Sequence, residues 1–248
     1  MSFIESIKER AKQNKKRIVL PETMDRRVLE AAEKIIREDI ADIILIGKEE
    51  EIAENSKGLD ISGAKIINPF TSDLTEELTL EFVEIRKNKG LTYDEAKKLL
   101  LEDYAYFACM LVKTGRADGV VSGACHSTAN TLRPALQIIK TKPGTMLVSA
   151  FFLMVVPDCV YGNNGVFVFA DSGLVQNPNS EELAAIAKSS AESFELLVGS
   201  EPSVAMLSHS TKGSASHPDV DKVVNAVKIA KERYPQYKID GELQLDAA

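Results

Sequence analysis

Apolar and polar positions alternate along this chain in two periods. Val28, Leu29, Ala32, Ile35 and Ile36 follow the spacing of one helix face packed on a sheet, and Asp25 stands where that helix opens. Short runs rich in β-branched residues at Arg17–Leu20, Asp42–Ile46 and 64–67 read as strands, with Pro21 and Gly47 ending the first two. Phe3–Gln13 and 48–55 read as helices between and before them. Strands alternating with helices predict a parallel sheet with right-handed crossovers.

From Thr71 the period becomes purely helical. Leu78, Phe82 and Ile85 share a face of a helix that Asp73 or Thr75 can begin and that ends near Gly90. Thr92 with Glu95 fits a capping box for a second, long helix, which carries Ala96, Leu99, Leu100, Tyr104, Phe107, Met110 and Leu111 before Gly115 stops it. Arg86, Lys87 and Lys89 fall in the last turn of the first of these helices, where cations complement the dipole; a solvated helix end accounts for them.

The next stretch, ADGVVSGACHSTANTLRP at 117–134, concentrates the candidate chemistry. Its first six residues read as a buried parallel strand, and Gly123 and Ala124 form a small-residue elbow. Ser127 or Thr128 can cap the first turn of the following helix, from which Thr131 and Arg133 point. Free N–H groups, the positive end of a helix dipole and a planar guanidinium together suit a phosphate or carboxylate. The same turn is also an ordinary strand-to-helix connection in which the arginine pairs with a surface carboxylate. It is neither GxGxxG nor GxxxxGK[ST], so no dinucleotide or nucleoside triphosphate is implied.

The break KTKPG after the helix at 131–140 sets a domain boundary, giving domains at 1–144 and 145–248. The apolar run 146–157 reads as a fully buried strand, and 166–169 as its partner across an Asn164-Gly165 hairpin turn. A helix from Asn179 and Ser180 runs to Leu197 and stops at Gly199. Ser203–Leu207 reads as another buried strand, followed by SHSTKGSASHPD and a helix over 219–234. Ser210, Thr211 and Lys212 of that loop are candidate anion contacts, since open α/β sheets bind ligands at the carboxyl ends of strands. His209 and His217 match no zinc spacing and read as plain loop residues.

Composition narrows the function. The net charge of −7, with basic residues scattered among acidic ones, argues against nucleic-acid binding. Cys109, Cys125 and Cys159 are far apart and odd in number, which suggests free thiols in a reducing compartment. The first residues lack a signal-peptide core, and the longest apolar run is too short to span a bilayer. A cytoplasmic protein without a membrane anchor is expected, and no metal motif is seen.

RIVLPE, ADGVVSGACHSTANTLRPALQIIKTKPG, VPDCVYG, FADSGLVQNPNSEELA, VAMLSHSTKGSASHPDVDKV and DGELQLDAA together resemble the phosphate acetyltransferase family, over essentially the whole chain. Pieces such as ADSG occur also in the related phosphate butyryltransferases, whereas HSTANTLRP combined with SHSTKGSA points to the acetyl enzymes. The resemblance implies two three-layer α/β/α domains with mainly parallel sheets facing across a cleft, as in isopropylmalate dehydrogenase-like folds, in a homodimer. It implies reversible acetyl transfer between acetyl phosphate and coenzyme A, by direct thiolate attack in a ternary complex. Coenzyme A is then a substrate, and no cofactor is expected.

Site residues follow on the same footing. Arg133 matches a family arginine assigned to substrate binding and Arg86 one implicated with coenzyme A. Ser127, Thr128, Asn130 and Thr131 complete the expected phosphate-binding turn. The family's catalytic Ser-Arg pair and aspartate are expected beyond Ala248, so the resemblance assigns no catalytic residue here and predicts an incomplete second domain with little transferase activity. Two further readings stay open: a butyryl-type acyltransferase, and a noncatalytic fragment that binds the ligands without turnover.

Overall fold

A computed structural model describes residues 2–248. The chain forms two compact units, Met1–Lys140 and Thr141–Ala248.

The first unit runs α1 (Phe3–Gln13), β1 (Arg17–Leu20), α2 (Arg26–Arg37), β2 (Asp42–Ile46), α3 (Glu49–Asn55), β3 (Lys65–Ile67), α4 (Leu74–Arg86), α5 (Tyr93–Glu102), α6 (Tyr104–Lys113), β4 (Gly119–Val120) and α7 (Thr128–Ile138). Its four strands pair in parallel in the order β3-β2-β1-β4. Period-two alternation sorts their side chains. Val19, Ile44, Ile46 and Ile67 pack with Leu78, Phe82, Phe107, Met110 and Ile138 on one face. Leu20, Ile43 and Leu45 pack with Leu29, Ala32 and Ile52 on the other. Near-continuous apolar strands are what a sheet covered on both faces requires.

The strand order fixes where a ligand belongs. The chain winds outward from β1 to β3 and then returns to the other side of β1, so the order reverses between β1 and β4. The crevice beyond the carboxyl ends of these two strands is the topological switch point.

Three expectations change here. The long second helix is two helices: Asp103 is extended at φ −127°, ψ 97°, and its side chain accepts the Ala105 N–H at 3.0 Å to cap α6. An aspartate that can cap locally competes with helix continuation. The strand at 117–122 pairs only over Gly119 and Val120, against Ile18 and Val19. Ser127 caps α7, which therefore begins at Thr128, ahead of the expected start at 131.

The second unit runs β5 (Phe151–Val155), β6 (Val166–Ala170), α8 (Ser180–Val198), β7 (Ser203–Leu207), α9 (Pro218–Arg233) and β8 (Lys238–Leu243). β5 and β6 form an antiparallel ribbon in register Phe151↔Ala170 to Val155↔Val166. The connection between them ends in a tight turn that pairs Asn163 with Val166, with Asn164 at φ 51° and Gly165 at φ 83°; a Cβ on Gly165 would lie 2.1 Å from the Val156 carbonyl oxygen. β7 and β8 pair in parallel. Met206 and Ile239 from them pack with Ala184, Ala187, Val223, Ala226, Val227 and Ala230 of α8 and α9.

The expected burial of β5 is not found. Phe151, Phe152, Met154, Val155 and Val156 are all exposed, Phe152 to 61%. A continuous apolar run implies a strand covered on both faces, but here it is half of a two-stranded ribbon with no further strand beside it. β7 is likewise mostly exposed, with Met206 its one fully buried residue. Among the described residues, no helix is long and apolar enough to cross a membrane.

Candidate functional site

At the switch point of the first unit sits Glu22, two residues past β1 and 2% exposed. Its carboxylate accepts N–H bonds from Gly123 (2.7 Å), Ala124 (2.8 Å) and Cys125 (3.1 Å), the elbow that follows β4. His126 Nδ1 donates to it at 2.5 Å and Cys125 Sγ at 3.3 Å. Burial alone would raise its pKa, but the bonds from His126 and the three amides outweigh that and hold it down to about 2. Glu22 is therefore a buried carboxylate that stays ionised. The elbow amides expected to meet an external anion are already bound to an internal one.

Anion-binding capacity lies one turn further on. Ser127 Oγ caps α7 by accepting the Asn130 N–H at 3.3 Å, and Thr131 Oγ1 donates to the Ser127 carbonyl at 3.1 Å. The amides of Thr128 and Ala129 take no partner among the described residues. Ser122 Oγ, at the end of the strand, is buried and unbonded among the described residues.

Arg133 and Arg86 make no hydrogen bond or ion pair among the described residues, unlike most arginines of this chain. Both charges act on Tyr106: burial raises its phenol pKa, with Asp103 adding to that, while Arg133 and Arg86 oppose it. Tyr106 contacts Gln137 Oε1 at 3.3 Å, on α7, the helix that carries Arg133. Arg86 and Tyr106 line a cleft of ≈ 540 Å³ with Lys89, Gln137 and two acids whose charges are engaged, Glu95 by Thr92 and Glu102 by Lys98 at 3.9 Å. An arginine without a carboxylate partner retains its fork of donors for a phosphate.

The second loop is differently built. Ser210 is fully buried, donates to Glu242 Oε1 at 3.0 Å and accepts the Ala215 N–H at 3.1 Å. Thr211 Oγ1 accepts the Gln244 N–H at 2.9 Å. Lys212 Nζ is held by Asp240 Oδ1 at 2.7 Å and the Gly241 carbonyl at 2.9 Å. These three side chains fasten the loop to β8, and their donors are spent inside the fold. His217 caps α9 through the Asp219 N–H at 3.2 Å, and its ring lies 5.8 Å from that of His209.

Glu22, His126, Tyr106 and Glu242 were not singled out by sequence reasoning. Glu22 stood in RIVLPE as an acid just after a strand, but its partners are more than 100 positions away. Glu242 repeats its role, since it accepts the Gly213 N–H at 2.6 Å from the loop after the neighbouring parallel strand.

The family signature described as "Phosphate acetyl/butaryl transferase" matches residues 2–248. A phosphate acetyltransferase of Thermoanaerobacterium thermosaccharolyticum is 56% identical over 248 residues, which are all of this chain and 75% of that protein. Another from Acetivibrio thermocellus is 52% identical, with 100% of this chain and 74% of that protein covered. Among solved structures, a phosphotransacetylase from Streptococcus pyogenes superposes with a TM-score of 0.89 at 42% identity, over 100% of this chain and 75% of that one.

Proposed function

The chain belongs to the phosphate acetyl/butaryl transferase family, and from that premise we propose that it acts in reversible acetyl transfer between acetyl phosphate and coenzyme A. In the forward direction the coenzyme A thiolate forms a bond to the acetyl carbonyl carbon. The carbon–oxygen bond to phosphate breaks, and phosphate leaves with the electron pair. Catalysis of such a step rests on fixed donors for the leaving phosphate and for the oxyanion of the intermediate.

The observation that carries this reading is that Arg133 on α7 and Arg86 at the end of α4 both keep their guanidinium groups free of a carboxylate partner among the described residues, Arg86 in a cleft it lines with Tyr106. Arg133, the side chains of Thr128 and Asn130 and the free amides of Thr128 and Ala129 at the start of α7 take the phosphate of acetyl phosphate, while Ser127 caps the turn and Thr131, bonded to the Ser127 carbonyl, holds it. Arg86, with Lys89 along the cleft, takes phosphate groups of coenzyme A. Ser210, Thr211 and Lys212 serve the fold of their loop instead, because each is bonded within it.

Competition calorimetry with acyl phosphates tests the acyl preference. Acetyl phosphate is expected to bind more tightly than butyryl phosphate; the reverse order would favour the butyryl reading. We also propose a homodimer, for which the exposed apolar residues of the β5–β6 ribbon offer a contact surface, and place the protein in the cytoplasm, in keeping with its free cysteines.

A further inference from the structure

We propose that Glu22, Cys125 and His126 form a binding site for a thiophilic divalent cation of the zinc type, beyond the substrate sites of the transfer reaction. Their donor atoms lie within 4.8 Å of one another at one end of the elbow. Cys125 Sγ is 3.7 Å from His126 Nδ1 and 3.3 Å from Glu22 Oε1. Tetrahedral zinc with ordinary bond lengths sets sulfur–nitrogen and sulfur–oxygen separations of about 3.5 Å. Both pairs are already at that spacing. Only the imidazole and carboxylate, now 2.5 Å apart, must open to about 3.3 Å, a shift of about 0.8 Å for a half-exposed ring.

Hydrogen bonding explains why these groups are close without a metal. Glu22 Oε1 accepts from both the thiol and the imidazole, so two protons occupy the place between the three donors. A cation replaces both. The thiol S–H bond breaks and its proton goes to solvent, the neutral imidazole moves its proton from Nδ1 to Nε2, and three metal–ligand bonds form. Thiolate and carboxylate then balance the two positive charges. Glu22 Oε2 keeps the Gly123 and Ala124 N–H bonds, which orient the ligating carboxylate as outer-shell donors do in built metal sites.

Access and coordination number also fit. Cys125 is exposed and His126 half-exposed, so an ion enters from solvent without unfolding the elbow. Three protein ligands leave a fourth position, beside the exposed Met24, whose sulfur is 3.8 Å from Cys125 Sγ.

The test uses Co²⁺ as the spectroscopic substitute for Zn²⁺, added to the metal-free 248-residue chain in a non-coordinating reductant. A thiolate-to-cobalt charge-transfer band is expected, saturating at one equivalent per chain, removed by Zn²⁺, retained in Cys159→Ser and absent in Cys125→Ser. His126→Asn, which removes one of the three ligands, should weaken Co²⁺ binding while keeping the band. Circular dichroism confirms that each variant is folded, and calorimetry of the wild type in two buffers should read the released thiol proton. No band in the wild type, or a band that survives Cys125→Ser, overturns the proposal. Because the readout is metal binding alone, its failure would leave the acetyl-transfer reading untouched.

Discussion

The Glu22 carboxylate and the His126 imidazole, 104 residues apart in the chain, meet at 2.5 Å. That contact closes the switch point between β1 and β4 from within. Together with three amide N–H bonds it fixes the elbow from which α7 departs, and so the direction in which Thr128, Thr131 and Arg133 are presented.

Replacement of Glu22 should therefore cost stability in a pH-dependent way. Its pKa is about 2 in the folded state against an ordinary 4.5, so its contribution, on the order of 3 kcal/mol, is fully present above pH 4.5. It is lost as pH falls from there through about 2. Urea unfolding of the wild type and Glu22→Gln at neutral pH and near pH 3 should show a gap of about 3 kcal/mol that narrows in acid. A gap that stays constant would mean that the carboxylate is not held ionised by the elbow.

Arg86 and Arg133 should separate by ligand. Arg86→Ala is expected to weaken coenzyme A binding by about 10- to 100-fold, the worth of a charge-assisted contact to phosphate, with acetyl phosphate affected little. Calorimetry with each ligand reads the difference. Equal losses for both ligands would contradict separate roles.

Asp103 interrupts what the apolar period alone would make continuous. Asp103→Ala removes the Ala105 cap and should cost about 1 kcal/mol in thermal unfolding, with Asp103→Asn recovering most of it. A neutral alanine variant would show that the break is imposed by packing rather than by the cap.

The β5–β6 ribbon exposes Phe152 and Phe169 alongside Val155. If this surface pairs the subunits, Phe152→Asp should shift the protein from dimer to monomer in light scattering at micromolar concentration, with its far-ultraviolet dichroism unchanged. Unaltered mass would place the dimer contact elsewhere.

Much of the fold is legible in local sequence because local forces set it. Asp25, Thr92 and Asn179 cap the helices expected to open on them, and Asn164-Gly165 makes a tight turn between Asn163 and Val166, within the longer connection that joins β5 to β6. These depend on a few adjacent residues. Burial of β5 was misread, since an apolar run reports what a strand can tolerate and not whether a neighbour covers it. The site was half legible: Ser127 and Arg133 stand in one local motif, whereas Glu22 reaches across more than 100 positions. Lys212 looked like a free cation because Asp240, its partner, lies 28 residues later on a strand paired in space.

The most direct test of the central claim is calorimetric titration of the 248-residue chain with acetyl phosphate, in the wild type and in Arg133→Ala. Saturable binding to the wild type is expected, competed by inorganic phosphate and weakened at least tenfold in the variant. Failure of the wild type to bind, or equal affinity in the variant, would contradict the assignment of the α7 turn as the phosphate site.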